Sequence, residues 1–214
     1  MYANFGESSA GVATPRFFPL GFSDAGAFGY LELREDPGRG GFSARLRIFD
    51  LITDGELANE RELDWDHEEI VDLSFYEDTD AIAGYFLEFW RDTVADAGLA
   101  PENASHGSTF RGLPVEYAGA SYFALLDKVY GGEDPSFDNL QAYDFFLRGD
   151  NETRKRIYST DPRAVDVSAS GYFASPFEPR VAVVLVEERY TFEGTEPFAV
   201  ITGSNMAVGF EPVE

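Results

Sequence analysis

Apolar and polar residues alternate along most of this chain, and the alternation falls into segments of strand length. Residues 17–22, 29–34 and 42–51 carry Phe, Tyr, Leu or Ile at a period of two, with Arg45 and Arg47 flanking Leu46 on the third. That period marks a strand with one buried face. Residues 121–130, 140–147, 154–159, 164–173, 180–188 and 198–202 read as further strands, and 113–117 as a short extended piece. Glu35-Asp36-Pro37-Gly38-Arg39-Gly40-Gly41, Thr53-Asp54-Gly55 and Gly131-Gly132-Glu133-Asp134-Pro135 are turns by composition. The period changes once. Over 79–97, Ile82, Tyr85, Phe86, Phe89, Thr93, Val94 and Ala97 fall at i, i+3, i+4, i+7 steps, with Gly98 placed for a left-handed C-cap. This predicts one amphipathic helix with a core-facing stripe. Residues 54–72 hold the densest cluster of charge and are assigned no element.

Two segments echo each other. Gly21-Phe22-Ser23 precedes Tyr30-Leu31-Glu32-Leu33-Arg34-Glu35, and Phe173-Ala174-Ser175 precedes Ala182-Val183-Val184-Leu185-Val186-Glu187. A glycine follows each (Gly41, Gly194), and an isoleucine lies in the strand after it (Ile48, Ile201). The unit is a strand, a Ser-centred turn, a second strand, a Gly-bearing loop and a third strand, as in a propeller blade. Two copies do not close a propeller. The expected fold is therefore mainly β with one amphipathic helix (α+β): two blade-like antiparallel meanders packed as one or two sheets, with the helix covering one face. The length fits a single domain over 1–214, with a first meander at 16–55, a helix-containing middle at 56–160 and a second meander at 164–205.

Charge narrows the function classes. The chain has 39 acidic and 16 basic residues, a net charge of −23, and no cysteine. Disulfides and Cys-based zinc sites are excluded. Nucleic acid is not an expected partner, because phosphate binding needs a concentrated basic surface. The basic residues are 14 Arg and 2 Lys. Such a surface suits a salt-adapted source, where ions screen self-repulsion, and a GC-rich genome gives the same Arg bias. The longest strongly apolar run, 181–186, is too short to span a membrane. The N-terminus, Met1-Tyr2-Ala3-Asn4-Phe5-Gly6-Glu7, has neither the positive nor the apolar region of a signal peptide.

Candidate chemistry is sparse. Asp64, Asp66, His67 and Glu69 form one acidic cluster and Asp134 and Asp138 another, and these six are the weak candidates for a metal such as Ca²⁺, since carboxylates and imidazole bind divalent ions. Neither cluster has zincin or EF-hand spacing, so both read first as solvated loops. His106 beside Ser105 and Ser108 lacks a nucleophile-elbow motif. Glu35 and Glu187 sit at matching places in the echo and could act as an acid–base pair only across a cleft of roughly 5–10 Å. Strand-end charges are the plainer reading of both. No catalytic or cofactor-binding residue is identified.

The two ends carry a family resemblance. Pro19-Leu20-Gly21-Phe22-Ser23-Asp24-Ala25-Gly26, Gly41-Phe42 and Arg47-Ile48-Phe49-Asp50-Leu51 resemble the opening of a bacterial family of predicted secreted proteins of unknown function, whose N-terminus is similar to a TolB-type blade. Ser175-Pro176, Arg180-Val181-Ala182-Val183, Phe192-Glu193-Gly194 and Phe198-Ala199-Val200-Ile201-Thr202-Gly203 are similar to its closing segment. The resemblance implies a periplasmic or secreted β-rich protein and supplies no activity or site residues. The expected function is binding or structural, with an unknown protein or small-molecule partner. The alternatives are a carboxylate-based hydrolase assisted by Ca²⁺ or another divalent ion, and a cytoplasmic location.

Overall fold

The computed structural model describes residues 3–4, 16–35, 42–63, 79–101, 109–131, 139–162, 164–191 and 194–213. Strands account for about two thirds of them and form three antiparallel sheets. The chain divides into two compact units: Met1–Ser108 with Pro176–Glu178, and Thr109–Ser175 with Pro179–Glu214.

The first unit is one five-stranded sheet in sequence order: β1 (Ala3–Asn4), β2 (Arg16–Phe22), β3 (Ala27–Glu35), β4 (Phe42–Asp50) and β5 (Gly55–Leu63). The alternation seen in sequence sets its faces. Leu31, Leu33, Leu46 and Ile48 lie in a buried cluster with Phe86, Trp90, Val94 and Leu99. β5 was hidden in the sequence by its composition. Its Gly-Glu-Leu-Ala-Asn-Glu-Arg-Glu-Leu run is charged and rich in helix formers, and register with β4 is what makes it a strand.

The expected covering helix is corrected by the structure. Residues 79–97 form two short helices, α1 (Thr79–Phe89, 11 residues) and α2 (Arg91–Asp96, 6 residues). Trp90 between them leaves helical geometry, with φ −113° and ψ 18°. The break turns Trp90 inward beside Phe86, ring centroids 6.5 Å apart, and leaves Phe89 exposed. Neither helix is long enough to cover a sheet face, so the α+β description gives way to a mostly β one. Gly98 takes φ 71° and its N–H donates to the Ala95 carbonyl (2.9 Å), the left-handed end that glycine permits.

The second unit contains two sheets rather than one blade. One runs β10 (Asp166–Ala174), β11 (Arg180–Thr191), β12 (Gly194–Asn205). The other has the order β13-β9-β8-β7-β6, from β6 (Val115–Tyr117), β7 (Ala120–Gly131), β8 (Asn139–Gly149), β9 (Thr153–Thr160) and β13 (Glu211–Pro212). Phe145 and Leu147 of β8 share a buried cluster with Val183 and Leu185 of β11 and Tyr172 of β10. Residues 121–130 and 140–147, read as strands from their pattern, are strands of this second layer. Two packed meanders are therefore also corrected, to three sheets.

The echo has a structural counterpart, shifted from its sequence alignment. β2 is bulged between Pro19 and Gly21, and β10 between Ala169 and Gly171. Counting outward from the bulges, Phe17 pairs with Glu32 and Val167 pairs with Glu187. The partner of Glu187 is therefore Glu32, not Glu35. An extra stretch of ladder in β10–β11 had displaced the match. Each glutamate is buried and bonded to the arginine two residues on. Arg34 Nε donates to Glu32 Oε1 at 2.7 Å, and Arg189 Nη2 to Glu187 Oε2 at 2.6 Å.

Candidate functional site

The richest arrangement of side chains lies in the second unit, where β7 and β10 face each other from different sheets. Tyr172 holds the preceding segment against β10. Its backbone exchanges two 2.9 Å hydrogen bonds with Arg111, and its hydroxyl accepts the Glu116 N–H at 3.1 Å. A cleft of about 460 Å³ is lined by Leu113 and Pro114, by Ala124 and Leu126 of β7 with Phe123 at its rim, and by Val167 to Ala169 of β10. Glycine is required at one point of its surroundings. A Cβ on Gly171 would collide with the Arg111 carbonyl and the Phe110 ring.

One end of the cleft carries a polar clamp. Lys128 Nζ and the Tyr130 hydroxyl both donate to Asp166 Oδ1, each at 2.7 Å, joining β7 to β10. Across the ladder Lys128 pairs with Tyr143 of β8. The Tyr143 hydroxyl donates to Glu187 Oε1 at 2.8 Å, joining β8 to β11. Glu187 is 1% exposed, and its other oxygen takes the Arg189 guanidinium, which stacks on Phe198 at 4.8 Å. A buried carboxylate survives because donors replace its lost water.

The protonation states here are fixed rather than poised. Burial, and then the hydrogen bond to Glu187, push the Tyr143 phenol far above its usual range. Burial acts to lower Lys128, but the hydrogen bond and charge of Asp166 outweigh it and raise the ammonium. Burial acts to raise Asp166, and the bonds from Lys128 and Tyr130 reverse that and lower it. The hydrogen bond to Asp166 raises Tyr130. A general acid or base works best with a pKa near the operating pH, and each of these shifts leads away from neutrality. The cluster can orient and hold.

The sequence-derived metal candidates are not part of this arrangement. Asp64, Asp66, His67, Glu69, Asp134 and Asp138 all lie outside the described residues, as does His106. Among the described residues no three His, Cys, Asp or Glu side chains gather as a metal site would require. No helix of the described residues is long and apolar enough to cross a membrane. Glu187 is the one residue named from sequence that enters the site, as an anchored interior group rather than a strand-end charge. Lys128, Tyr130, Tyr143 and Asp166 were missed, since they come from three strands with no sequence spacing in common. The signal that was available is β7 itself, whose Phe123-Ala124-Leu125-Leu126 is apolar on both faces.

These features define an antiparallel β protein with an inter-sheet cleft flanked by fixed charges. Comparison of the chain with protein-family models, curated proteins and solved structures gives no match.

Proposed function

We propose that this chain is a binding protein of the cell envelope or extracellular space, and that the cleft between β7 and β10 holds its protein or small-molecule ligand. One observation carries the reading: an open, mostly apolar cleft adjoins exposed apolar side chains of the same strand, β7. Apolar clefts with a few placed polar groups are the usual form of a ligand site. The direction of the pKa shifts at the clamp favours holding over proton transfer. The TolB-like resemblance supports the location.

The test uses Nile red, a neutral apolar dye, titrated into the full chain. Saturable fluorescence is expected. Ser168→Trp, an exposed position on the cleft wall, fills the cleft and weakens the dye at least about tenfold, about 1.4 kcal/mol. Equal dye affinity in both proteins overturns the assignment.

A further inference from the structure

β7 combines an open backbone edge with apolar side chains on both faces. β6 pairs with it only at residues 120–122. From Phe123 to Gly131, no described strand pairs with β7 on the side away from β8. Alternate residues there present N–H and C=O groups outward, which is a template for another strand. Phe123, Leu125 and Val129 lie on the outer face at 53%, 38% and 56% exposure. Ala124 and Leu126 lie on the opposite face and line the cleft. A strand laid along this edge meets apolar surface above and below.

The charges on the outer face specify more. Asp127 is exposed and stands directly opposite Asp144 of β8. Like charges in that position repel. Asp144 Oδ1 is buried and accepts no hydrogen bond, its nearest cation being Arg156 Nη1 at 3.8 Å. The pair is therefore short of a cation, and a side chain entering beside Asp127 would supply one.

We propose that this edge binds an extended peptide segment of a partner protein by β-strand addition. The segment has a lysine or arginine opposite Asp127 and apolar residues opposite Leu125 and Val129. The inference rests on the binding reading above and names its ligand class. The backbone edge supplies general affinity, and the alternate side chains supply selectivity. A second copy of this chain fits less well. Pairing β7 with itself about Leu126 sets Leu125 against Asp127 and Ala124 against Lys128, and brings together two chains of net charge −23. An acidic partner is disfavoured for the same reason.

The probe is the acetylated, amidated and fluorescently labelled peptide Thr-Val-Val-Lys-Val-Val-Thr, followed by anisotropy with the full chain. Saturable binding is expected, at least tenfold weaker when the probe lysine is replaced by glutamate. Asp127→Lys should reverse that preference, binding the glutamate probe better than the lysine probe. Two further probes are N-methylated on alternating amides, one on odd and one on even positions. Strand addition requires that one set abolish binding and the other preserve it, because only one edge of the peptide faces β7. Equal binding of both methylated probes overturns strand addition while leaving the cleft assignment intact. So does Nile red binding with no peptide binding. Loss of both overturns both. A concentration-dependent dimer in sedimentation that Asp127→Lys abolishes would make a second copy the occupant and overturn the proposal.

Discussion

The hairpins β2–β3 and β10–β11 use the same local device and put it to different ends. Each has a bulged first strand, a buried glutamate two ladder positions beyond the bulge, and an arginine two residues further on that binds it. In the first unit the bond stays within one strand. Among the described residues the Glu32 carboxylate is held by Arg34 alone. In the second unit the carboxylate also receives Tyr143 from the other sheet. Glu187 thereby ties two layers together, whereas Glu32 is a local anchor. A repeated sequence feature acquires its role from what the fold brings against it.

The largest test of this difference is removal of each carboxylate. Glu187→Ala leaves the Tyr143 hydroxyl and part of the Arg189 charge buried without a partner, at a cost of about 3 kcal/mol. Glu32→Ala should cost about 1–2 kcal/mol, because it breaks a single charge-assisted bond. Urea midpoints measured on both variants compare them, and equal losses would break the contrast. Next come the close approaches. Gly171→Ala drives a methyl into the Arg111 backbone, whereas at Gly29 the nearest atom is the flexible end of Leu99. The first should cost about 2–3 kcal/mol and the second under about 1 kcal/mol, read from thermal midpoints.

The pH dependence sharpens the same comparison. Burial raises the phenols of both Tyr30 and Tyr143 above the free value of 10.0, and for Tyr143 the Glu187 bond adds to it. The folded state then keeps protons that the unfolded state releases. The associated stability is complete below pH 10 and is lost as the pH rises above it. Tyr143→Phe should flatten the fall in denaturation midpoint above pH 10 and cost about 1.5 kcal/mol at neutrality for the lost bond. Tyr30→Phe should flatten it too. Its hydroxyl accepts a 3.1 Å hydrogen bond from the Arg47 guanidinium, which opposes the effect of burial. The smallest effect belongs to the exposed Arg91–Glu88 pair on the helices. Arg91→Ala should change stability by less than about 0.5 kcal/mol, because solvent screens such pairs.

Much of the ladder was legible because strand periodicity is local. The strands at 17–22, 29–34, 42–51 and 180–188 are found close to those positions. β5 was not legible, since its charged residues take strand geometry only through β4. The helix was legible as a stripe but not as two pieces, because the break at Trp90 depends on where its indole packs. The echo was visible, yet equating Glu35 with Glu187 failed, because equivalence follows ladder register and the bulges reset the register. The site was largely illegible. Lys128, Tyr143, Asp166 and Glu187 converge from four strands across two sheets.

By itself the sequence determined a β-rich chain of high negative charge, free of cysteine chemistry, with two echoing strand–turn–strand segments. Those properties depend on residue type and on neighbours a few positions away, so a linear reading reaches them. Among the described residues, the tertiary structure decided the division into three sheets, the edge that β7 leaves unpaired beyond Tyr122 and the pairing of a buried glutamate with a distant tyrosine. Those depend on which strands meet, and that choice is made by packing over the whole unit rather than by any one segment.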